Sequence, residues 1–334
     1  MLAIVSQLML LDTPTLYYRA FFALPDSITA PDGRPVNAVR GTLDFISHLV
    51  THHRPDRLIA CFDADWRPAF RVELLPSYKA HRVVEEVAPA PADLPGGESA
   101  GHGAASASVE EIPDTLTPQV QMLLEVLAAF GIADGWAPGF EADDAIAAYA
   151  ALHRSADGGP VDVVTGDRDM FQLISDADGV RVFNIARGVA KLEVLGDSEL
   201  MAKYGVNGAQ YADFATLRGD ASDGLPGVAG IGEKTASVLL AEYGSLTGLL
   251  AAAGDATSAV KPAVRKKLEA ATDYLAVAPR VVQVRADAPV TTADSALPAT
   301  PVHPEELEKL AELYGLANPV KRLTKALAAN GAQG

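Results

Sequence analysis

The sequence predicts an α/β fold around a mainly parallel sheet, and three observations carry that expectation. Leu8 to Leu11, Arg57 to Phe62 and Val161 to Thr165 read as short buried strands. Each is followed closely by an acid, Asp12, Asp63 and Asp167. The segments between them have helical apolar spacing, and that alternation is the mark of βαβ units.

In chain order, Leu8-Met-Leu-Leu-Asp12 is a strand ending in an acid. Thr15 to Leu24 is a helix bearing Tyr17, Tyr18, Phe22 and Arg19, the last a candidate phosphate contact. Pro31-Asp-Gly33 marks a turn, and Val39 to Leu49 a helix before the strand from Arg57 to Phe62. The chain then turns basic and amphipathic from Arg67 through Arg71 to Tyr78-Lys79-Ala-His-Arg82. There a base can stack on Tyr78 while Lys79 and Arg82 meet phosphate oxygens.

Between Ala88 and Ser108, 17 of 21 residues are Ala, Pro, Gly or Ser, too little apolar surface to offset ordering entropy. A disordered excursion over 88–108 is expected. Pro118 to Phe130 reads as an amphipathic helix, and Val180 to Ile185 with Lys191 to Val194 as two strands turning at Arg187-Gly188. From about Ser198 the texture is helical, dividing the chain into regions 1–197 and 198–334.

The chemistry concentrates between Gly139 and Phe171. Glu141-Ala-Asp143-Asp144 opens the apolar helical run Ala145 to Leu152, and Asp167 and Asp169 close a strand, placing five carboxylates within 29 residues. An acidic first turn is by itself ordinary helix decoration. Asp12 and Asp63 at two further strand ends change the reading, because unpaired carboxylates sharing one crevice repel until a cation neutralises them. The single cysteine, Cys61, reads as core, and no histidine spacing suits zinc. A hard, oxygen-preferring metal is expected.

The net charge of −16 argues at first sight against nucleic acid. Its distribution argues otherwise: nine of the acids belong to the proposed site, and seven more lie between Val83 and Thr117 without a Lys or Arg. Arg67, Arg71, Lys79 and Arg82 face only Glu73, and Lys261, Arg265, Lys266 and Lys267 face no acid at all. No membrane span or secretory signal is evident, so a cytoplasmic protein is expected.

A last signal is Gly219-Asp220-Ala-Ser-Asp223-Gly-Leu-Pro-Gly227-Val-Ala-Gly230-Ile-Gly232-Glu-Lys234-Thr235, running into the helix Ala236 to Tyr243. It fails as a P-loop, since Glu233 separates Gly232 from Lys234, and as a dinucleotide fingerprint, since Thr235 stands at the third glycine. A helix-hairpin-helix fits, in which small residues bring backbone N–H groups and a helix N-terminus against a phosphate. Asp220 and Asp223 are placed to reach back to the acidic crevice.

In this order these motifs resemble the flap endonuclease family of structure-specific 5′ nucleases, especially the bacterial 5′-3′ exonuclease found alone or at the front of DNA polymerase I. The resemblance runs from Leu8 to Leu327. It implies a PIN-like fold with a helical arch over about 67–117 and a helix-hairpin-helix domain with a potassium site. It also implies two or more Mg²⁺ or Mn²⁺ ions, held by Asp12, Asp63, Glu141, Asp143 and Asp144 and by Asp167, Asp169 and Asp223, with Asp220 in support. Lys79, Arg82 and, more weakly, Arg71 would act on the scissile phosphate. The implied substrate is branched or nicked duplex DNA with a 5′ flap, RNA-primed in replication, cut by a monomer. Two departures stand out: the low-complexity insert, and Ala221 to Gly224 where the family has Ser-Ser-Asp-Asn. A non-catalytic binder of branched DNA and a PIN-type ribonuclease remain the alternatives.

Overall fold

The computed structural model describes residues 6–84, 109–110, 113, 115–156, 158–291 and 294–332. Strands β1 (Leu8–Asp12) and β2 (Arg57–Cys61) are followed by a small ribbon, β3 (Val83–Val84) and β4 (Val109–Glu110). Then come β5 (Ala133–Gly135), β6 (Val161–Thr165), β7 (Val180–Asn184) and β8 (Glu193–Leu195). All but the ribbon form one six-stranded sheet ordered β5-β2-β1-β6-β7-β8, parallel except for β8. The expected mainly parallel sheet is therefore present, with β1 at its middle.

The helices are α1 (Thr13–Ala23), α2 (Asn37–His53), α3 (Ala69–Leu74), α4 (Thr117–Phe130) and α5 (Ala142–Ser155). After the sheet follow α6 (Asp197–Tyr204), α7 (Gly208–Arg218), α8 (Glu233–Tyr243), α9 (Leu246–Gly254), α10 (Pro262–Ala270), α11 (Thr272–Val282), α12 (Pro304–Leu313) and α13 (Ala317–Gly331). Among the described residues no single helix is long and apolar enough to cross a membrane.

Side chains alternate across a strand, and β1 shows the consequence. Met9 and Leu11 join a core with α1, α2, α4, α12 and α13 on one face. Leu8 and Leu10 join a second core with α5 and the helices from α6 to α11 on the other. Burial on both faces is why these strands read as unbroken apolar runs. The terminal helices α12 and α13 thus return to α2 and α4, on the sheet face opposite the α7–α8 pair.

Of the stretch implied to be a helical arch, only parts are among the described residues. Those parts form α3, a 3₁₀ turn over Ala80–Arg82 and the antiparallel β3–β4 ribbon. Pro68 precedes α3 and Pro76 follows it, which confines the helix to six residues. The low-complexity segment 88–108 lies outside the described residues.

Leu323 on α13 has no exposed surface and belongs to the α2 core. Leu323→Ala is expected to destabilise the protein by about 2–5 kcal/mol, the usual cost of a buried leucine, in urea unfolding monitored by circular dichroism.

Candidate active site

Three parallel strands, β2, β1 and β6, lie side by side and end together, with Asp12 opposite Cys61 and Leu11 opposite Val164. The next residues of each chain segment therefore bring Asp12, Asp63 and Asp167 to one edge. Asp12 is held by two hydroxyls: its Oδ2 accepts from Thr15 Oγ1 and Thr165 Oγ1, each at 2.5 Å, and its Oδ1 from the Thr15 N–H at 3.1 Å. The same carboxylate caps α1. Asp63 Oδ1 accepts from the Ala142 N–H at 2.8 Å, which ties the start of α5 to β2.

Helix α5 begins with a capping box between Glu141 and Asp144, and Asp143 lies between them facing the crevice. Across from it Asp167 lines the crevice, whereas Asp169, in the 3₁₀ turn that follows, lines with Asp143 and Asp223 a small separate cavity. Asp220 and Asp223 flank a short turn after α7, and Asp220 accepts from Ser222 and from Arg218 Nη2 at 3.1 Å. The resulting crevice holds about 730 Å³ and is lined by Asp12, Asp63, Glu141, Asp143, Asp167 and Asp220, with Lys79 and Arg82 beside them. Arg168, Ser222, Tyr18, Phe22 and Trp66 also line it, none of them singled out from the sequence as site residues. Thr165 closes β6, and nothing local in the sequence marks its hydroxyl as a partner of Asp12.

The basic stretch is clamped to the acidic loop. The Lys79 N–H donates to the Asp223 carbonyl at 3.0 Å, and Arg82 Nη2 to Ser222 O at 2.8 Å and Asp223 Oδ1 at 3.0 Å. Ser77 Oγ donates to the Gly224 carbonyl at 2.9 Å. Gly224 has φ +72°, and a Cβ there would lie 2.1 Å from Ser77 O, so the altered residue after Asp223 is what admits this contact. Lys79 itself has a left-handed backbone, φ 48°, and its ammonium pairs with Glu141.

Three residues take places other than those the sequence indicated. Tyr78 is buried at 4 % exposure among Ala215, Leu225, Val281 and Val282, and its hydroxyl donates to Glu141 at 2.8 Å, so its ring is withdrawn from base stacking. Arg71 is buried and bonded to Glu141 and Asp144, and it does not line the crevice. Asp144 is wholly buried, and both its oxygens are taken by Arg71 and by the N–H groups of Glu141 and Arg285. Its lone pairs are thus spent before they reach the crevice.

Arg19 lines the crevice; its Nη2 donates to Ala186 O at 2.9 Å, while its buried Nε has no partner among the described residues. The hairpin between α7 and α8 presents Gly232, Lys234 and Thr235 on the surface. Gly227 and Gly230 have φ of +67° and +76°, and the Gly230 carbonyl accepts from Lys267 Nζ at 2.8 Å. Arg265, in contrast, is consumed by carbonyls of Ala253, Asp255, Ser258 and Val260. Arg168 bridges the two motifs, 3.6 Å from Asp220 and 3.8 Å from Glu233 at the start of α8.

The acids disturb one another as expected of a crowded site. Desolvation, and then the neighbouring charges of Asp12, Asp167 and Glu141, push Asp143 well above the usual carboxylate range. Desolvation with Asp167, Asp223 and Asp220 does the same to Asp169. Asp12 is also raised, chiefly by burial. Asp63 opens to the crevice, yet the protein packed around it lifts it to about 7, and Asp223 rises to about 6 for the same reason, with Lys79 opposing both. Burial works against the charges of Arg71 and Lys79, but Glu141 outweighs it and both are raised.

This donor set suits a hard divalent cation. Asp169 Oδ1 is buried and has no hydrogen-bond partner among the described residues, leaving a lone pair that such an ion would satisfy. Among the described residues no three His, Cys, Asp or Glu side chains form a group that could hold an ion as they stand.

A profile of 5′-3′ exonuclease N-terminal resolvase-like domains matches residues 7–205, and one of the 5′-3′ exonuclease C-terminal SAM fold matches 206–305. Fold and site together define an α/β nuclease with a helical C-terminal half. The chain belongs to the 5′-3′ exonuclease family. A 5′-3′ exonuclease of Streptomyces coelicolor is 54 % identical, the match covering 96 % of this chain and 100 % of the relative. A 5′-3′ exonuclease of Mycobacterium tuberculosis is 49 % identical, covering 96 % and 98 %. DNA polymerase I of that organism is 40 % identical over 73 % of this chain but only 24 % of its own length. The fold is shared with the bacteriophage T5 D15 flap endonuclease in a pseudo-enzyme-product complex with DNA and metal ions, at TM-score 0.59, 18 % identity and coverage of 98 % and 100 %.

The raised carboxyls give a stability signature without added metal. From the ordinary value of 3.8 up to about 7, the unfolded chain has lost a proton that folded Asp63 still binds, so stability falls as pH rises through that window. In EDTA, Asp63→Asn is therefore expected to gain urea stability relative to wild type between pH 4.5 and 8. A constant difference across that range would refute the shift.

Proposed function

We propose that this protein is a divalent-metal-dependent 5′-3′ exonuclease and flap endonuclease that hydrolyses DNA phosphodiesters. The observation that carries this reading is the crevice of crowded carboxylates flanked by Lys79 and Arg82, with a helix-hairpin-helix leading from one of its walls.

Bound Mg²⁺ or Mn²⁺, two ions or more, supplies neutralisation of the acids and activation of the attacking water. Asp12, Asp63, Glu141 and Asp143 would form one group of ligands and Asp167, Asp169 and Asp223 the other, with Asp220 orienting its loop. Lys79 has three N–H donors and spends one on Glu141 and one, at 3.4 Å, on the Trp66 carbonyl, so a third is left to meet a non-bridging oxygen of the scissile phosphate. Arg82 offers its remaining donors beside it. The exposed start of α8, at Gly232 and with the side chains of Lys234 and Thr235, grips duplex phosphates without reading bases, while Gly227 and Gly230 shape the turn.

The similarity to a quarter of DNA polymerase I supports a role in removing RNA-primed 5′ ends in replication and in repair. The D15 complex with DNA and metal ions supports the substrate and cofactor classes. Potassium at the hairpin, a monomeric state and a cytoplasmic location complete the proposal.

The test is cleavage of a 5′-labelled flap duplex, a blunt duplex and single-stranded RNA, each with Mg²⁺ and with EDTA. Magnesium-dependent cutting near the flap junction is expected; tight flap binding without cutting would favour a structural binder, and cutting of RNA alone a ribonuclease. Asp143→Asn and Asp167→Asn are expected to abolish cutting while flap binding in EDTA persists. Lys79→Ala is expected to lower kcat by about 100- to 1000-fold with KM nearly unchanged, the usual cost of one transition-state donor. A change in KM alone would make Lys79 a tether.

A further inference from the structure

Arg71 is 2 % exposed and takes no part in the chemistry above. Its Nη1 donates to Glu141 Oε2 and Asp144 Oδ2, both at 2.6 Å, and its Nη2 to Asp144 Oδ1 at 2.7 Å. Its Nε donates to the Val281 carbonyl at 3.0 Å. Asp144 accepts in turn from the N–H of Arg285 at 2.8 Å and of Glu141 at 3.2 Å. One buried guanidinium thus ties α3, the first turn of α5 and the end of α11. Glu141 and Asp144 lie one helical turn apart, and the crevice-facing Asp143 lies between them. The second oxygen of Glu141 holds Lys79.

We propose that Arg71 is the positioning residue of this nuclease: through Asp144 and Glu141 it orients the first turn of α5, and with it Asp143 and Lys79, without touching substrate. Asp144 is then its anchor rather than a metal ligand. The inference rests on the nuclease reading above. A forked guanidinium fixes the direction of a carboxylate as a point charge does not, so lysine at this position keeps the charge and loses the geometry. A buried pair of this kind contributes little net stability over apolar packing, so its geometry is the property to test.

The experiment compares wild type, Arg71→Lys and Asp144→Asn at a temperature where circular dichroism shows each folded. It measures kcat and KM on the flap duplex, melting temperature in EDTA, and Mn²⁺ affinity by electron paramagnetic resonance without DNA. Both variants are expected to lose about 10- to 100-fold in kcat with KM within about twofold, and about 10-fold in Mn²⁺ affinity, as for residues that orient ligands from behind. Lys79→Ala is expected to cost less in the Arg71→Lys background than in wild type, because the two act through Glu141.

A fall in melting temperature with kcat and Mn²⁺ affinity intact would reduce Arg71 to a structural residue and overturn the proposal, as would a change confined to KM. Should Arg71→Lys fail to fold, Asp144→Asn decides by the same criteria. Should wild type itself fail to cut DNA, the nuclease reading falls, and the Mn²⁺ titration alone decides: unchanged affinity in both variants overturns the positioning role.

Discussion

Crowded carboxylates repel, and in a crevice partly stripped of water that repulsion is the constraint the rest of this structure answers to. The answer comes from one short stretch. Arg71, Lys79 and Arg82 each bind at least one acid from another part of the chain: Glu141 and Asp144 in the first case, Glu141 in the second, Asp223 in the third. The path of residues 71–82 is accordingly set by charge as much as by packing. Tyr78, caught between two of those cations, is drawn into the interior with its hydroxyl on Glu141.

The sheet supplies the other half of the arrangement. A central β1 with parallel neighbours on either side places three loop starts at a single edge, and two-sided burial keeps that edge rigid. One cover, with α1, α2, α4, α12 and α13, is packing throughout most of its extent; the other leads through α7 to the hairpin and the acids of its loop. Catalytic candidates therefore come from both halves of the chain, while most of the hydrophobic support for β1 is laid down within the first half.

Much of this was legible in the sequence because it is local. The apolar runs at Leu8, Arg57 and Val161 became β1, β2 and β6, and the acids after them met because parallel strands align their ends. The helix start at Glu141 and the glycine-rich turn before Glu233 were equally local signals. Hidden were facts that depend on partners distant in sequence. Nothing near Arg71 announces that its charge is matched by residues 70 and 73 positions away. The same holds for Asp144, which reads as one more acid in a row until its neighbours are known, and for Tyr78, whose pairing with Lys79 suggested a surface. Strand β5 is three residues long, too short for any pattern. The return of α12 and α13 to α2 is likewise a choice among apolar faces that a helical period does not specify.

Gly224 illustrates how tightly the pieces are coupled. The turn it ends carries Asp220 and Asp223, receives Ser77, Lys79 and Arg82, and leads directly into the hairpin at Gly227. Substitution in this turn has no way to alter one of these without the others, so the turn has few independent degrees of freedom on which selection can act. Sequence drift here should come as compensated pairs, a change in the turn answered by a change between Ser77 and Arg82, and family members that differ at this glycine should differ in how closely those two segments approach.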